Sequence, residues 1–438
     1  MTGADAPTPP DPALDRAFRE ESGRALATVA RIVGDLQLAE DAVQEAFVDA
    51  MRTWPRSGVP ASPGAWITTA ARNRALDRIR RESLRGTKEF DSYRQTPPSD
   101  DGEEVWPVRD DQLRLMFTCC HPALSREAQV ALTLRLVCGL TAAEIARAFL
   151  QTESTVTRRL TRAKTKIRDA AIPFRLPPEH LLPERVPQVL ACIYLVFTEG
   201  YSATRARSGA GGATPSRSGA GGATQTSAGP SVRAELCEEA IRLGSLLTEL
   251  MPDEPDAWAL QALMLLQDSR RAERLDEDGA ARPLEEQDRT RWDRQRIEDG
   301  TRCLLAARRS TGSYLPQAII AAAHARAASW EATDWWVIVT AYERLFDLTG
   351  SPVAAVNRAV AVGFRDGYGS GLAALDEIDD DPRLDRLVRP VRADLLRRAG
   401  RHEEAELAYL AALESPLNDA AERFLHRRLA EVRAAQQN

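Results

Sequence analysis

The chain has 438 residues, a formal net charge of −6 and only 6% aromatics. That length admits two to four domains, and no run reaches the roughly 18 apolar residues that a bilayer span requires. The first ten residues, MTGADAPTPP, lack both a charged n-region and an apolar h-region, so no secretory leader is expected and the protein is expected in the cytoplasm, without membrane attachment. Six cysteines without a CxxC spacing fit reduced thiols better than a disulfide framework. The acidic total disfavours nucleic acid only if charge is spread evenly, because phosphate affinity depends on local patches.

Leu, Ala and Arg dominate and no stretch alternates apolar with polar residues, which predicts an all-α fold. Helical periodicity runs from about Pro12 to Arg85. Within it AEDAVQEAFVDAMRTW puts Ala42, Val43, Ala46, Phe47, Ala50 and Trp54 on one stripe, and Asp41, Gln44, Glu45 and Asp49 on polar faces. A Pro- and Gly-rich loop, PRSGVPASPG, follows, and then WITTAARNRALDRIRRE. At 100° per residue Ile67, Ala71, Ala75 and Ile79 share one side of that helix, while Asn73, Arg74, Asp77, Arg80 and Arg81 cluster on another. Guanidinium groups mixed with an amide and a carboxylate suit base edges and phosphates together, although a solvated arginine face is the plainer alternative.

The polar segment GTKEFDSYRQTPPSDDGEEVWPVRD, with three prolines and two acidic clusters, predicts a linker. Helices resume from about Asp111 to Arg168. Cys119, Cys120 and His121 superficially suggest metal ligands, but adjacent cysteines do not match zinc spacings; small buried side chains near a helix end are expected, with no metal and no cofactor.

GLTAAEIARAFLQTESTVTRRLTRAKTKIRD predicts a short helix from about Thr141 to Phe149, a turn near Leu150 to Glu153 and a longer helix from about Ser154 to Arg168. Ile145 and Phe149 can pack on Val156, Leu160 and Ala163, as a helix-turn-helix requires, with Thr152 or Ser154 as the cap. The outward side holds Thr155, Arg158, Arg159, Arg162 and Lys166, and the second helix carries six basic residues and no acidic one. Leu150 stands where such turns often carry Gly.

Prolines in IPFRLPPEHLLPERVP mark the next boundary. Ser202 to Pro230 contains SGAGGAT twice, a composition that cannot bury a core and predicts a flexible surface insertion. Ser231 to Asn438 reads as about ten amphipathic helices. In ADLLRRAGRHEEAELAYLAALESP, Leu396, Gly400, Ala405, Tyr409, Ala412 and Leu413 recur as in one tetratricopeptide unit.

Taken in order, the segment from Asp11 to Asp169 resembles a sigma factor of bacterial RNA polymerase, of the extracytoplasmic-function type that keeps only regions two and four. DAVQEAF looks like the polymerase-binding helix, WITTAARNRALDRIRR like the minus-ten reader, and EIARAFLQTESTVTRRLTRAK like the minus-thirty-five reader. The resemblance implies that Asp41, Gln44, Glu45 and Asp49 meet the clamp helices of core polymerase, with the flap as a further contact. It gives Asn73, Arg74, Asp77, Arg80 and Arg81 to minus-ten DNA, and Thr155, Arg158, Arg159, Arg162 and Lys166 to the minus-thirty-five major groove. The loop Pro55 to Gly64 corresponds to the one that holds a flipped base, and the linker would thread toward the RNA exit path. The implied architecture is region two at 11–88, an acidic linker at 89–110, region four at 111–172 and a tetratricopeptide-like extension at 173–438.

The extension is similar to that of one subgroup of these factors, through VLACIYLVFTEGYSA, LCEEAIRLGSLL, EPDAWALQALMLLQDSRR, LEEQDRTRWDR and SPVAAVNRAVAV, with CCHPAL ahead of them. That subgroup carries Asn where Thr198 stands, and the SGAGGAT duplication is an added insertion. Glu199, Asp288, Arg289 and Trp292 sit in distinctive motifs, but no nucleophile with a base, metal spacing or phosphate loop accompanies them, so no catalysis is expected. The expectation is a sigma factor whose extension regulates it through its own domains or a partner. The rivals are a helix-turn-helix regulator acting without polymerase and a repeat-based scaffold.

Overall fold

The computed structural model describes residues 12–85, 109–149, 151–202, 230–274, 282–378, 384–414 and 419–436. Most of the expected linker, the turn residue Leu150 and the body of the Gly/Ser/Ala insertion lie outside the described residues. Every regular element among the described residues is helical. The chain forms two compact units, Met1–Val196 and Phe197–Asn438.

The first unit begins with α1 (Pro12–Val33), α2 (Leu36–Ser57) and α3 (Pro63–Arg85), each packed on the other two. A tight reversal joins α1 to α2. Gly34 there adopts φ +70°, a region closed to most side chains, and the Asp35 carboxylate caps α2 by accepting from the amides of Gln37 at 2.7 Å and Leu38 at 2.9 Å. The expected stripe of Ala42, Val43, Ala46, Phe47, Ala50 and Trp54 is buried, as are Ile67, Ala71 and Ala75 of α3. Ile79, expected with them, is 37% exposed, so the packed side of α3 ends a turn earlier. The loop expected from Pro55 to Gly64 is shorter. Pro55 lies within the last turns of α2, and Pro63, whose ring presets a helical φ, opens α3. Trp54 meets Trp66 edge to face, with centroids 5.6 Å apart, which sets the angle at which the chain turns back.

Four shorter helices follow: α4 (Arg109–Cys119), α5 (Arg126–Leu132), α6 (Ala142–Ala148) and α7 (Glu153–Asp169). α5 continues as one π-helical turn, Thr133–Val137, ending where Cys138 donates to Thr133 O at 3.1 Å. α8 (Leu182–Ser202) starts in the first unit and the division falls inside it. Its Val186, Val189, Leu190, Cys192 and Ile193 are buried, and Arg185 donates to Phe117 O at 2.8 Å.

The second unit holds ten further helices among the described residues, matching the number expected: α9 (Pro230–Leu250), α10 (Pro255–Asp268), α11 (Arg294–Ala306), α12 (Tyr314–Arg326), α13 (Trp335–Thr349), α14 (Pro352–Asp366), α15 (Tyr368–Asp376), α16 (Asp385–Arg398), α17 (His402–Leu413) and α18 (Asp419–Gln436). Each packs on its neighbour in sequence. Leu396, Ala405, Tyr409 and Ala412, four of the repeat-like positions, share one core with Leu425, Leu429 and Val432 of α18. Gly400 makes the turn between α16 and α17 at φ +73°.

Candidate nucleic-acid interface

A reciprocal cap opens the helix-turn-helix. Glu144 N donates to Thr141 Oγ1 at 3.1 Å while Thr141 N donates to Glu144 Oε2 at 2.7 Å, satisfying two amides at the start of α6. Of the two expected caps for the second helix, Thr152 takes the position, accepting from Thr155 N at 3.3 Å, so α7 starts at Glu153, one residue early. Ile145, Val156, Leu160 and Ala163 are buried as the motif requires, whereas Phe149 is half-buried.

With that stripe turned inward, Thr155, Arg158, Arg159, Arg162 and Lys166 come together along a groove of about 410 Å³, closed on its far side by Leu124, Ser125 and Ala128. Among the described residues no carboxylate forms an ion pair with these four cations. Arg159 donates to Gln151 Oε1 at 2.9 Å and Arg158 to Ser154 O at 3.3 Å, contacts that orient the guanidiniums, and Glu127 acts on Arg159 electrostatically without pairing with it. Such a face can meet phosphate oxygens and base edges at once.

The surface of region two is wired differently. Asn73, Asp77, Arg80 and Arg81 are exposed on α3, with Arg80 3.6 Å from Asp77. Arg74 instead reaches α2, donating to Asp49 Oδ2 at 3.0 Å and to Glu45 Oε2 at 2.9 Å. The Asp49 hydrogen bond holds the guanidinium above its ordinary pKa. Arg78, not singled out from sequence, approaches Asp41 at 3.3 Å. The expected DNA and polymerase sets thus meet along the seam between α2 and α3.

Sequence reasoning missed Glu40. Its carboxylate is 9% exposed and accepts from Arg135 Nε at 2.9 Å, from Lys164 Nζ and from Gln44 Nε2 at 3.1 Å. The signal was visible: by helical angle Glu40 falls inside the stripe of Leu36, Val43 and Phe47, where an acid needs partners.

Cys119 and Cys120 are buried at the end of α4, with Cys120 Sγ 3.6 Å from Thr133 Oγ1. Burial pushes the Cys119 thiol up, and a hydrogen bond with Cys192 does the same to Cys120. His121 Nδ1 accepts from Ala123 N at 3.2 Å. Among the described residues no group of three or more His, Cys, Asp or Glu is placed to hold a metal. In the second unit Arg289 donates to the carbonyls of His324 at 2.8 Å and Ala327 at 3.0 Å and to Thr333 Oγ1 at 3.2 Å, while Asp288 receives Thr290 N at 2.9 Å. Trp292 is buried beneath Arg289, and Glu199 is half-buried. The Arg289 contacts tie the 289–291 turn to the end of α12 and the segment before α13, while the Asp288 contact caps its own turn.

Comparison with known proteins decides the family. Residues 17–85 match the Sigma-70 region 2 model and residues 114–167 the Sigma-70, region 4 model. The ECF RNA polymerase sigma factor SigL of Mycobacterium tuberculosis is 32% identical over 150 residues, covering 34% of this chain and 83% of that protein. The chain belongs to the ECF sigma factors. SigK of the same species is 27% identical over 35% of this chain and 82% of its own. The uncharacterized protein R00370 of Rhizobium meliloti is 38% identical over 427 residues, 95% of both chains. Residues 185–308 match a family of unknown function, DUF6596. The sigma factor directs transcription initiation, binding core RNA polymerase and promoter DNA, and carries a helical extension after its sigma regions. No helix among the described residues is long and apolar enough to cross a membrane.

Proposed function

We propose that Arg158, Arg159, Arg162 and Lys166, with Thr155, read the minus-thirty-five element through the α7 groove, and that α3 engages minus-ten DNA through Asn73, Asp77, Arg80 and Arg81. Arg74 braces α3 on α2 and presents its remaining donor face to the same DNA. Asp41, Gln44, Glu45 and Asp49 form the face of α2 that meets the polymerase clamp helices. The groove on α7, lined by four cations and no carboxylate, carries this reading, because an ordinary exposed helix face mixes charge signs. The chain acts by binding alone and catalyses nothing.

The extension acts as a regulatory contact surface, in cis or toward a partner. A groove of about 550 Å³ between α12 and α13, lined by Leu315, Pro316, Ile319, Val337 and Arg344, supports this. Trp336 at its rim is 66% exposed and stacked by Arg365 at 4.2 Å.

Footprinting of the reconstituted holoenzyme tests the assignment of α7. Protection centred on the minus-thirty-five element is expected to vanish with Arg158→Ala and Arg162→Ala together and to persist at minus ten. Retained upstream protection contradicts it.

A further inference from the structure

Helix α12 carries Leu315, Ile319, Ala322 and Arg326 at i, i+4, i+7 and i+11, positions that share one face within an arc of about 60°. Across from them α13 presents Trp336, Val337, Thr340 and Arg344. The groove of about 550 Å³ that they line meets a second one of about 360 Å³ at Ile319 and Val337, so the two form one trough along the helix pair. Leu315 and Arg344 line one end of it, and Ala322 and Arg326 the other. From Leu315 to Arg326 the trough runs about 16 Å, at 1.5 Å per residue.

Folding does not account for this face. α13 already buries Ile338 and Val339 in a core with Ala361, and one apolar stripe is enough to pack a helix. Trp336 and Val337 form a second stripe left in solvent. The Trp336 indole is nevertheless held in place by Arg365, which donates to Asp366 at 2.9 Å, and a fixed, exposed Trp is a residue that anchors interfaces. Among the described residues no ion pair engages Arg326 or Arg344. Asp334, which shares the Arg326 end, is engaged in capping α13, accepting from Val337 N at 3.1 Å.

The walls of the trough are mostly apolar, so an extended segment lying there would bury amides without acceptors, whereas a helix arrives with its backbone hydrogen bonds made. The occupant that fits is a helix of about three turns, apolar in the middle and acidic at both ends.

The chain carries such a helix. On α17 and at its C-cap, Glu403, Leu407, Leu410 and Glu414 repeat the same i, i+4, i+7, i+11 spacing, again within about 60° and over about 16 Å. Leu407 is 68% exposed and Leu410 41%, while Ala405, Tyr409 and Ala412 on the opposite side share a core with α18. Among the described residues neither Glu403 nor Glu414 forms an ion pair. Leu407 and Trp336 are both exposed in the same copy, so the two faces do not meet within it.

We infer that α17 of one copy docks in the trough between α12 and α13 of a second, with Leu407 and Leu410 against Trp336, Ile319 and Val337, and Glu403 and Glu414 at the two arginines. The inference rests on the reading of this groove as a regulatory contact surface and names a second copy of the chain as its partner. Because the two surfaces differ, the contact is head to tail, and it either closes when copies exchange α17 or extends to further copies.

Sedimentation velocity of the full chain from about 1 to about 100 μM tests the docking, a range suited to a contact made by a single helix. The wild type is expected to pass from monomer to larger species across it. Glu403→Arg with Glu414→Arg, and separately Arg326→Glu with Arg344→Glu, set like charges against each other and are each expected to weaken association by at least about tenfold. Mixed in equal amounts, the two variants pair opposite charges across both contacts and are expected to associate as the wild type does, which separates a lost contact from lost folding. A wild type that stays monomeric throughout, or a mixture that does not associate, overturns the docking. Association as expected, with charge-reversed variants that support transcription by purified core polymerase at the wild-type level, leaves the docking standing and overturns the regulatory reading of the groove.

Discussion

Arg74 and Asp49 are joined across α3 and α2 by a hydrogen bond of 3.0 Å from Nε to Oδ2, one of two that the guanidinium makes to the same oxygen. The helix expected to face minus-ten DNA is therefore braced by the helix expected to face polymerase. Both side chains are about one-third exposed, which limits the pair to about 1 kcal/mol or less of stability. A double-mutant cycle of Arg74→Ala and Asp49→Ala, followed by urea unfolding, is expected to give a coupling of about 0.5–1 kcal/mol. Asp49→Arg is expected to weaken polymerase capture by charge reversal and also to impair promoter opening, since Arg74 loses its anchor. Unchanged capture removes Asp49 from the polymerase face.

The α7 groove makes a separate prediction. Arg158→Ala is expected to cost about 1–3 kcal/mol on a specific upstream element if its guanidinium reads a base, and to cost the same on scrambled DNA if it holds phosphate. Titration of both DNAs at fixed salt distinguishes them. Lys164→Ala is expected to leave this affinity within about threefold, because Lys164 points to Glu40 rather than into the groove.

The first four turns of α8 belong with region four. Truncation at Arg175 removes Val186, Val189, Leu190 and Ile193, each worth about 1.5–3 kcal/mol when buried, along with the Arg185 contact to Phe117 O. Urea unfolding of chains ending at Arg175 and at Ser202 is expected to show the shorter one less stable by roughly 5 kcal/mol or more. Equal stability would mean that α8 contributes nothing to the first unit.

His324, stacked on Trp330, is held neutral, its pKa pushed down to about 3 by burial first and by Arg270 and Arg289 next. An unfolded histidine titrates near pH 6.5, so below that value the unfolded chain takes up a proton that the folded one refuses. Stability of the second unit is expected to be full above pH 7 and to fall from about pH 6.5 downward, by on the order of 1 kcal/mol per unit. Melting between pH 7.5 and 5 isolates this window, before most carboxylates titrate. His324→Gln is expected to flatten the slope, and a slope that survives it assigns the effect elsewhere.

Much of this molecule was legible in its sequence. Apolar positions at helical spacing located α2, α3, α6 and α7, because each buries one stripe; of the six like charges of α7, four line the groove, while Lys164 turns to Glu40 and Arg168 pairs with Asp169. The repeat-like positions Leu396, Ala405, Tyr409 and Ala412 did form one core. Long-range pairing was not legible. That Arg74 turns to Asp49 rather than outward depends on how α3 crosses α2, and that Glu40 finds Arg135 and Lys164 depends on contacts 95 and 124 residues away. The acid within an apolar stripe announced that a partner was required, but not which one. The early end of the packed side of α3 at Ile79 was equally hidden, since periodicity continues whether or not a neighbour is there to cover it.

The central claim is that this chain selects promoters for core polymerase through α3 and α7. Mapping transcription start sites on a promoter library, with purified core polymerase and the full-length protein, tests it most directly. The expected result is a defined set of starts sharing two upstream elements, with Arg158→Ala relaxing sequence preference at the minus-thirty-five element alone. Starts no different from those of core polymerase without the protein would contradict it.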